Sequence, residues 1–349
     1  MSVAFLSTDF TRFPDGTLIP GGCTYYRCCL PLVASGNKGS LGEMAFDGAL
    51  GFGVKSGDQA IYGFKTVVLK LYMNRWTAKQ VEMAKAVGQR ILVDIDDHYD
   101  ELPESNAAWH ITHPEKNKRT NRDYYRQVIA AADTVVVSTP TLLEHHQKTH
   151  PDVRMIRNGV HLGMFHVKQQ QRKPVIGWVG SLAFRGNDVE IMRDWLPGFL
   201  EEHDLMFHHS GHSDMGPSFG ELVGIPEERM SYSYGVPMTM YPELLTYFDI
   251  GLVPLNDIPF NHAKSNIKGL EYAAAGIPFV ASDLPEYRFL YSTGVGRVAT
   301  TPGQWVEQVE ALLPLAVRKR EAAVNRKTVE RLHSIHAREA EWNEVLSPS

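Results

Sequence analysis

Short apolar runs alternate with helix-length stretches along nearly the whole chain, and no other feature limits the fold as strongly. That rhythm is the signature of parallel sheets wrapped by helices, an α/β class. In the first half it predicts strands at Val3–Leu6, Thr66–Leu71, Arg90–Ile95, Thr134–Ser138 and Val153–Arg157. Helices are expected near Thr77–Val87, Asn121–Ala132 and Thr141–Thr149. Cys23–Ala34 should be the first helix, but Pro31 inside it requires a kink or a late start. The glycine-rich segment 36–63 has no clear period and reads as loop with at most one short strand.

The rhythm stops at the polar stretch VKQQQRKP, residues 167–174, and then restarts. The second half predicts strands at Val175–Val179, Leu205–His209, Ile250–Pro254 and Phe279–Ala281. Its helices fall near Val189–Glu202, Pro242–Phe248, Ser265–Ala275 and Trp305–Leu313. At ~150 residues per domain, 349 residues also favour two. The expected division is a first Rossmann-like domain at 1–166, a linker at 167–174 and a second Rossmann-like domain at 175–315. A charged helical region at 316–349 is expected to pack back on the first domain. Two doubly wound, Rossmann-like domains in tandem would face a crevice at the carboxyl ends of their strands.

Composition removes several function classes. A net charge of −5 argues against a chain that coats polyanions. No apolar run approaches the ~18 residues of a membrane span, so stable membrane association is not expected. The N-terminus has no basic lead-in to its short apolar run, which points to the cytoplasm. Cys23, Cys28 and Cys29 are odd in number and crowded together, unlike a disulfide framework.

The most informative segment is FDIGLVPLNDIPFNHAKSNIKGLEYAAAGIPFVASDLPEYR, residues 248–288. A buried strand leads through a polar loop to a helix that Ser265 is placed to cap, with the amides of Asn266 and Ile267 turned to the crevice. A helix N-terminus attracts anions, Lys264 adds a full charge there, and Lys268 lies one turn along the same face. Glu271 is then placed to accept hydrogen bonds from the two hydroxyls of a ribose. The alternative is a capped surface helix with solvated lysines; the small-residue run AAAG, which would fix the helix against the next strand, favours the site. IGWVGSLAFRGND, residues 176–188, supplies a second element. Gly180 and Ser181 let a phosphate approach the backbone, and Arg185 can bind it bidentately.

In the first half, ILVDIDDHYD delivers Asp94, Asp96 and Asp97, with Asp94 and Asp96 on one face by alternation. They suit a ligand's hydroxyls, a base or a metal, and backbone capping suits them almost as well. The basic run at 115–127 could meet an acidic acceptor but fits a solvated helix start better. Two histidine groups, His145, His146 and His150, and His208, His209 and His212, lack an obvious third ligand, so no metal is expected.

These segments resemble the C-terminal domain of GT-B-fold glycosyltransferases of the large retaining group, which includes glycogen-synthase-like and mannosyltransferase-like enzymes. The resemblance rests on Asp249-Ile250-Gly251-Leu252-Val253-Pro254, on Glu271-Tyr272-Ala273-Ala274-Ala275-Gly276-Ile277-Pro278, and on Asn158-Gly159-Val160. It covers most of residues 130–290. The family's first glutamate falls at Ala263, so the sugar-contacting role is open among Asn261, His262 and Lys264. The resemblance implies that the glycine turn at Gly21-Gly22 borders the donor phosphates and makes Arg27 a phosphate ligand. It implies acceptor binding by Asp96 or Asp97 rather than a metal there, and acceptor stacking by Tyr25 or Tyr26, although core packing suits these rings better.

The resemblance implies transfer of a sugar from a nucleoside diphosphate sugar to an acceptor hydroxyl, with retention and without a metal or other cofactor. Arg185, Lys264 and Lys268 would stabilise charge on the departing diphosphate. The rivals are an inverting transferase using Asp96 or Asp97 as base, a nucleotide-sugar epimerase of the same fold, and a binding module idle in chemistry. A similarity to transferases carried by bacteriophages of actinobacteria suggests a virion protein or a modified DNA base as acceptor. Oligomeric state is not legible.

Overall fold

A computed structural model describes residues 2–36, 38–212 and 216–347. Two six-stranded sheets, every pairing parallel, form the frame. In the first sheet the spatial order is Val153–Met155, Thr134–Val137, Arg90–Ile95, Thr66–Lys70, Val3–Ser7 and Gly39–Gly42. The second runs Met230–Tyr234, Met206–His212, Val175–Val179, Ile250–Val253, Phe279–Ser282 and Arg297–Ala299. In each, the order reverses beside the first strand, which opens a crevice at the carboxyl ends of Val3–Ser7 and Val175–Val179. Strands buried on both faces, such as Val3–Ser7 and Thr66–Lys70, read as unbroken apolar runs for that reason.

Three expectations need correction. The segment read as loop at 36–63 holds the edge strand Gly39–Gly42 and an antiparallel meander of Met44–Asp47, Gly51–Ser56 and Gln59–Ile61. Its glycines hid the strand pattern because they admit neighbours: a Cβ at Gly53 would lie 2.4 Å from the Ile61 carbonyl. The first helix does not start late. It runs from Gly22 to Ala34 through a π-helical turn at Tyr25–Cys29. The wide turn just before Pro31 absorbs the proline's missing donor and clashing ring. Third, Val189–Glu202 is broken into short turns before the helix Leu196–Glu202.

The charged C-terminal region forms the helices Leu315–Leu332 and Glu339–Leu346. Arg90 donates to the carbonyls of Val345 and Ser347, and Trp342 is buried against the first domain's core. Among the described residues, no helix is long and apolar enough to cross a membrane. Cys23, Cys28 and Cys29 are free thiols on the first helix.

Candidate active site

A cleft of about 500 Å3 lies where the two sheets face each other, walled by the glycine turn at 21–22, Ser181, Val253 to Leu255 and the start of helix Ile267–Ala274. The pattern around Gly251 explains how that helix is held. A Cβ at Gly251 would meet the Tyr272 ring at 2.4 Å, so only glycine lets the ring lie on the strand. There the Tyr272 hydroxyl accepts from the Val179 amide at 3.2 Å and donates to the Leu252 carbonyl at 3.3 Å. Asp249 accepts from the amides of Gln171 and Val175, tying the linker to the same strand. Gly276, at φ +70°, ends the helix, and the Ile277 amide returns to the Tyr272 carbonyl.

The cleft brings together Arg185, Lys264, Lys268, Asp96, Asp97, Gly22, Ser181, Ser265, Ile267 and Glu271. Lys264 Nζ donates to Asp97 Oδ1 at 2.6 Å across the cleft. Lys268 Nζ donates to the Val179 carbonyl at 2.6 Å. Desolvation, opposed by Glu271 and assisted by Arg185, pulls its ammonium down to about 8. Lys264 is also lowered, first by desolvation, with Asp97 opposing. Asp96 pairs with Lys70 at 2.5 Å; burial would raise its carboxyl, but Lys70 overrules burial and holds it below the ordinary range.

Glu271 is buried at the cleft wall and accepts from Tyr26 at 2.7 Å on Oε1 and from Tyr241 at 2.5 Å on Oε2. A carboxylate has about four acceptor positions, so two remain for a diol. Burial and the Glu271 charge push both tyrosine hydroxyls well above their ordinary range, which keeps them protonated donors.

Several assignments made from sequence are corrected. Arg27 is not a phosphate ligand: 1% exposed, it binds Asp94 bidentately and donates to the Ile156 carbonyl and Asn158 Oδ1. Asp94 is therefore a fully buried counter-ion for Arg27 and Lys70 rather than a crevice residue. Ser265 does not cap the helix. Asn266 occupies that position without a side-chain cap, its amide group turned away to the Glu286 carbonyl, while Ser265 Oγ accepts from Asn158. Gly180 lies behind the wall: its carbonyl accepts from His209, and a Cβ there would meet Trp178 at 2.8 Å. Tyr26, with its ring buried and its hydroxyl on Glu271, is unavailable for stacking.

Ala263 is fully buried in the first domain's core, its carbonyl accepting from Thr139. Of the three residues considered for the missing glutamate's role, Asn261 is buried against Asp188 and His262 pairs with exposed Asp257. Only Lys264 reaches the cleft.

No protein-family model matches the chain. Sucrose-phosphate synthase from Thermosynechococcus elongatus superposes with a TM-score of 0.66 over 99% of this chain and 98% of that one, at 12% identity. A glycosyltransferase from Rickettsia africae gives 0.63 over 100% and 99%, at 11% identity. The chain adopts the GT-B fold. HepE from Anabaena, solved with UDP and glucose, shares it at TM-score 0.63, 14% identity and 99% coverage of both chains. In sequence, a Bacillus subtilis protein named for a proposed role as a teichuronic acid biosynthesis glycosyltransferase is 24% identical over 174 residues. That match spans 46% of this chain and 42% of the relative.

Within the GT-B frame, sequence reasoning missed Tyr241, Asn158 and Trp178 in the cleft wall. Asn158 had a signal in the Asn-Gly-Val run. Its side chain bridges Arg27 and Ser265, and a Cβ at Gly159 would lie 2.8 Å from Ile335 Cα, where the C-terminal segment crosses. Tyr241 had none, since only the fold brings it to Glu271. Both nitrogens of His208 face serine hydroxyls, Ser231 at 2.8 Å and Ser233 at 3.1 Å. His150 faces the Asp152 and Ala132 carbonyls. The basic run at 115–127 ends in the helix Arg122–Ala131, capped by Asn121.

Proposed function

We propose that the chain is a glycosyltransferase that moves a sugar from a nucleoside diphosphate sugar to an acceptor hydroxyl with retention of anomeric configuration. The observation that carries the reading is the convergence of Arg185, Lys264 and Lys268 with Glu271 in one interdomain cleft. Three cations match a diphosphate and a held carboxylate matches a ribose. The UDP in the HepE structure supports UDP as the nucleotide.

Retention is favoured because Asp96 and Asp97 are both engaged by lysines, Lys70 and Lys264. In a front-face reaction the leaving phosphate oxygen takes the acceptor's proton, and the lysines neutralise the charge that remains. No further cofactor is then required. The acceptor we take to be a macromolecular hydroxyl, on a virion protein or a modified DNA base, in keeping with the resemblance to phage transferases. The cytoplasm is the compartment proposed.

The test is to incubate the protein with UDP-, GDP-, ADP- and TDP-sugars, following thermal stabilisation and release of nucleoside diphosphate. Stabilisation without turnover on any donor or acceptor would leave only a binding module. NMR of the product's anomeric configuration separates retention from inversion, and interconverted donor sugars would reveal an epimerase.

A further inference from the structure

Away from the donor cleft, the loop after strand Arg90–Ile95 and the helix Pro140–His146 bring three ligand-type side chains together. Nitrogens of His98 and His145 and a carboxylate oxygen of Asp100 all lie within 4.8 Å of one another. His145 Nε2 is 3.2 Å from Asp100 Oδ2, and the two imidazoles stand 4.3 Å apart between centroids, tilted by 57°. The three border a cavity of about 210 Å3 that Tyr99, Arg122 and His146 also line.

A hydrogen-bonded His–Asp pair is common on protein surfaces; a second imidazole packed against it is a different arrangement. Arg126 donates to Asp100 Oδ1 at 2.5 Å, which orients the carboxylate and leaves Oδ2 facing the imidazoles. Two imidazole nitrogens with one carboxylate oxygen suit a borderline-soft divalent ion better than Mg2+ or Ca2+, which take oxygen ligands.

We propose that His98, Asp100 and His145 bind one divalent transition-metal ion of the zinc class, with water from the adjoining cavity completing the coordination. Bonds of about 2.0–2.2 Å require the three donor atoms to close on a common centre by small side-chain rotations. The ion ties the loop to the helix. Asp97, adjacent to His98, is the residue that holds Lys264 across the cleft, so the clamp fixes one side of that ion pair without entering the reaction.

The test uses the full chain, freed of metal by chelator and dialysis. Titration with Zn2+ by calorimetry, and with Co2+ by visible absorption, should each reach one ion per chain. Asp100→Asn and His145→Ala should weaken binding at least about tenfold, while His166→Ala, on an exposed histidine, leaves it unchanged. Imidazole NMR resonances of His98 and His145 should shift together on adding Zn2+ to the unaltered protein, a reading that needs no variant to fold. Absence of stoichiometric binding, ring resonances that stay put, or equal binding by Asp100→Asn and His145→Ala would each overturn the assignment.

Discussion

The Lys264 ammonium lies 2.6 Å from the Asp97 carboxylate across the interdomain cleft, so a cation assigned to the donor diphosphate already has a partner from the opposite domain. Both side chains are largely shielded, at 11% and 27% exposure, and an arriving diphosphate must share Lys264 with Asp97 or displace it.

Opposite effects of the two partners are therefore expected. Lys264→Met should lower kcat/KM by about 100-fold or more, the usual effect of removing one donor from a developing charge. Asp97→Asn should tighten UDP binding, because a carboxylate no longer competes for the ammonium. Calorimetry with UDP and initial rates with the active donor check both. Weaker UDP binding by Asp97→Asn would show that Asp97 supports the donor site rather than competing with it.

Glu271 should determine recognition of the ribose. Hydrogen bonds to a charged group contribute about 1.5–3 kcal/mol, so Glu271→Gln should weaken UDP about tenfold or more. It should also reduce the preference for UDP over 2′-deoxy-UDP. An unchanged ribose preference in the variant would remove Glu271 from that role.

Donor binding should depend on pH through Lys268. Its ammonium titrates at about 8 in the free protein, below the ordinary lysine value, and a bound diphosphate should raise it. Protonated lysine is then favoured in the complex, so UDP affinity stays level below pH 8 and falls as pH rises above it. The same depressed value makes the free fold's stability from this group rise with pH from about 8 toward the unfolded value near 10.4. Lys268→Met should bind more weakly and lose the fall in affinity above pH 8. Isothermal titration at pH 7, 8 and 9 reads both.

Arg27 should be a stability residue. Replacing a buried ion-pair partner leaves an uncompensated charge, and Arg27→Met should cost about 3 kcal/mol in urea unfolding. Lys70 remains beside Asp94 to limit the loss. The folded fraction should keep UDP affinity within about threefold, since the guanidinium lies behind the cleft on Asp94 and Asn158. A large affinity loss with unchanged stability would restore its reading as a phosphate ligand.

Much of the fold could be read from local pattern. Val3–Ser7, Arg90–Ile95, Val175–Val179 and Ile250–Val253 are buried on both faces, and that burial writes itself into sequence as apolar runs. Met230–Tyr234, with alternating exposure at the sheet edge, and the glycine-broken strand Gly39–Gly42 carry no such run and were missed. Lys268 and Glu271 were legible because one short helix, Ile267–Ala274, carries them three residues apart, and Lys264 because it stands in the loop that leads into that helix from a recognisable strand.

Sequence alone determined the alternation of strand and helix, the break between two sheets and the segment that supplies the cations. Those follow from periods of two and 3.6 residues, which act over a few neighbours. Tertiary structure decided which charges face the cleft and which face each other. Arg27 and Asp94 looked like site residues but neutralise one another in the core; Tyr26 looked like packing but, together with Tyr241, holds Glu271. A side chain's partner across 67 or 245 residues is set by how the sheets twist and pack, and no local period encodes that distance.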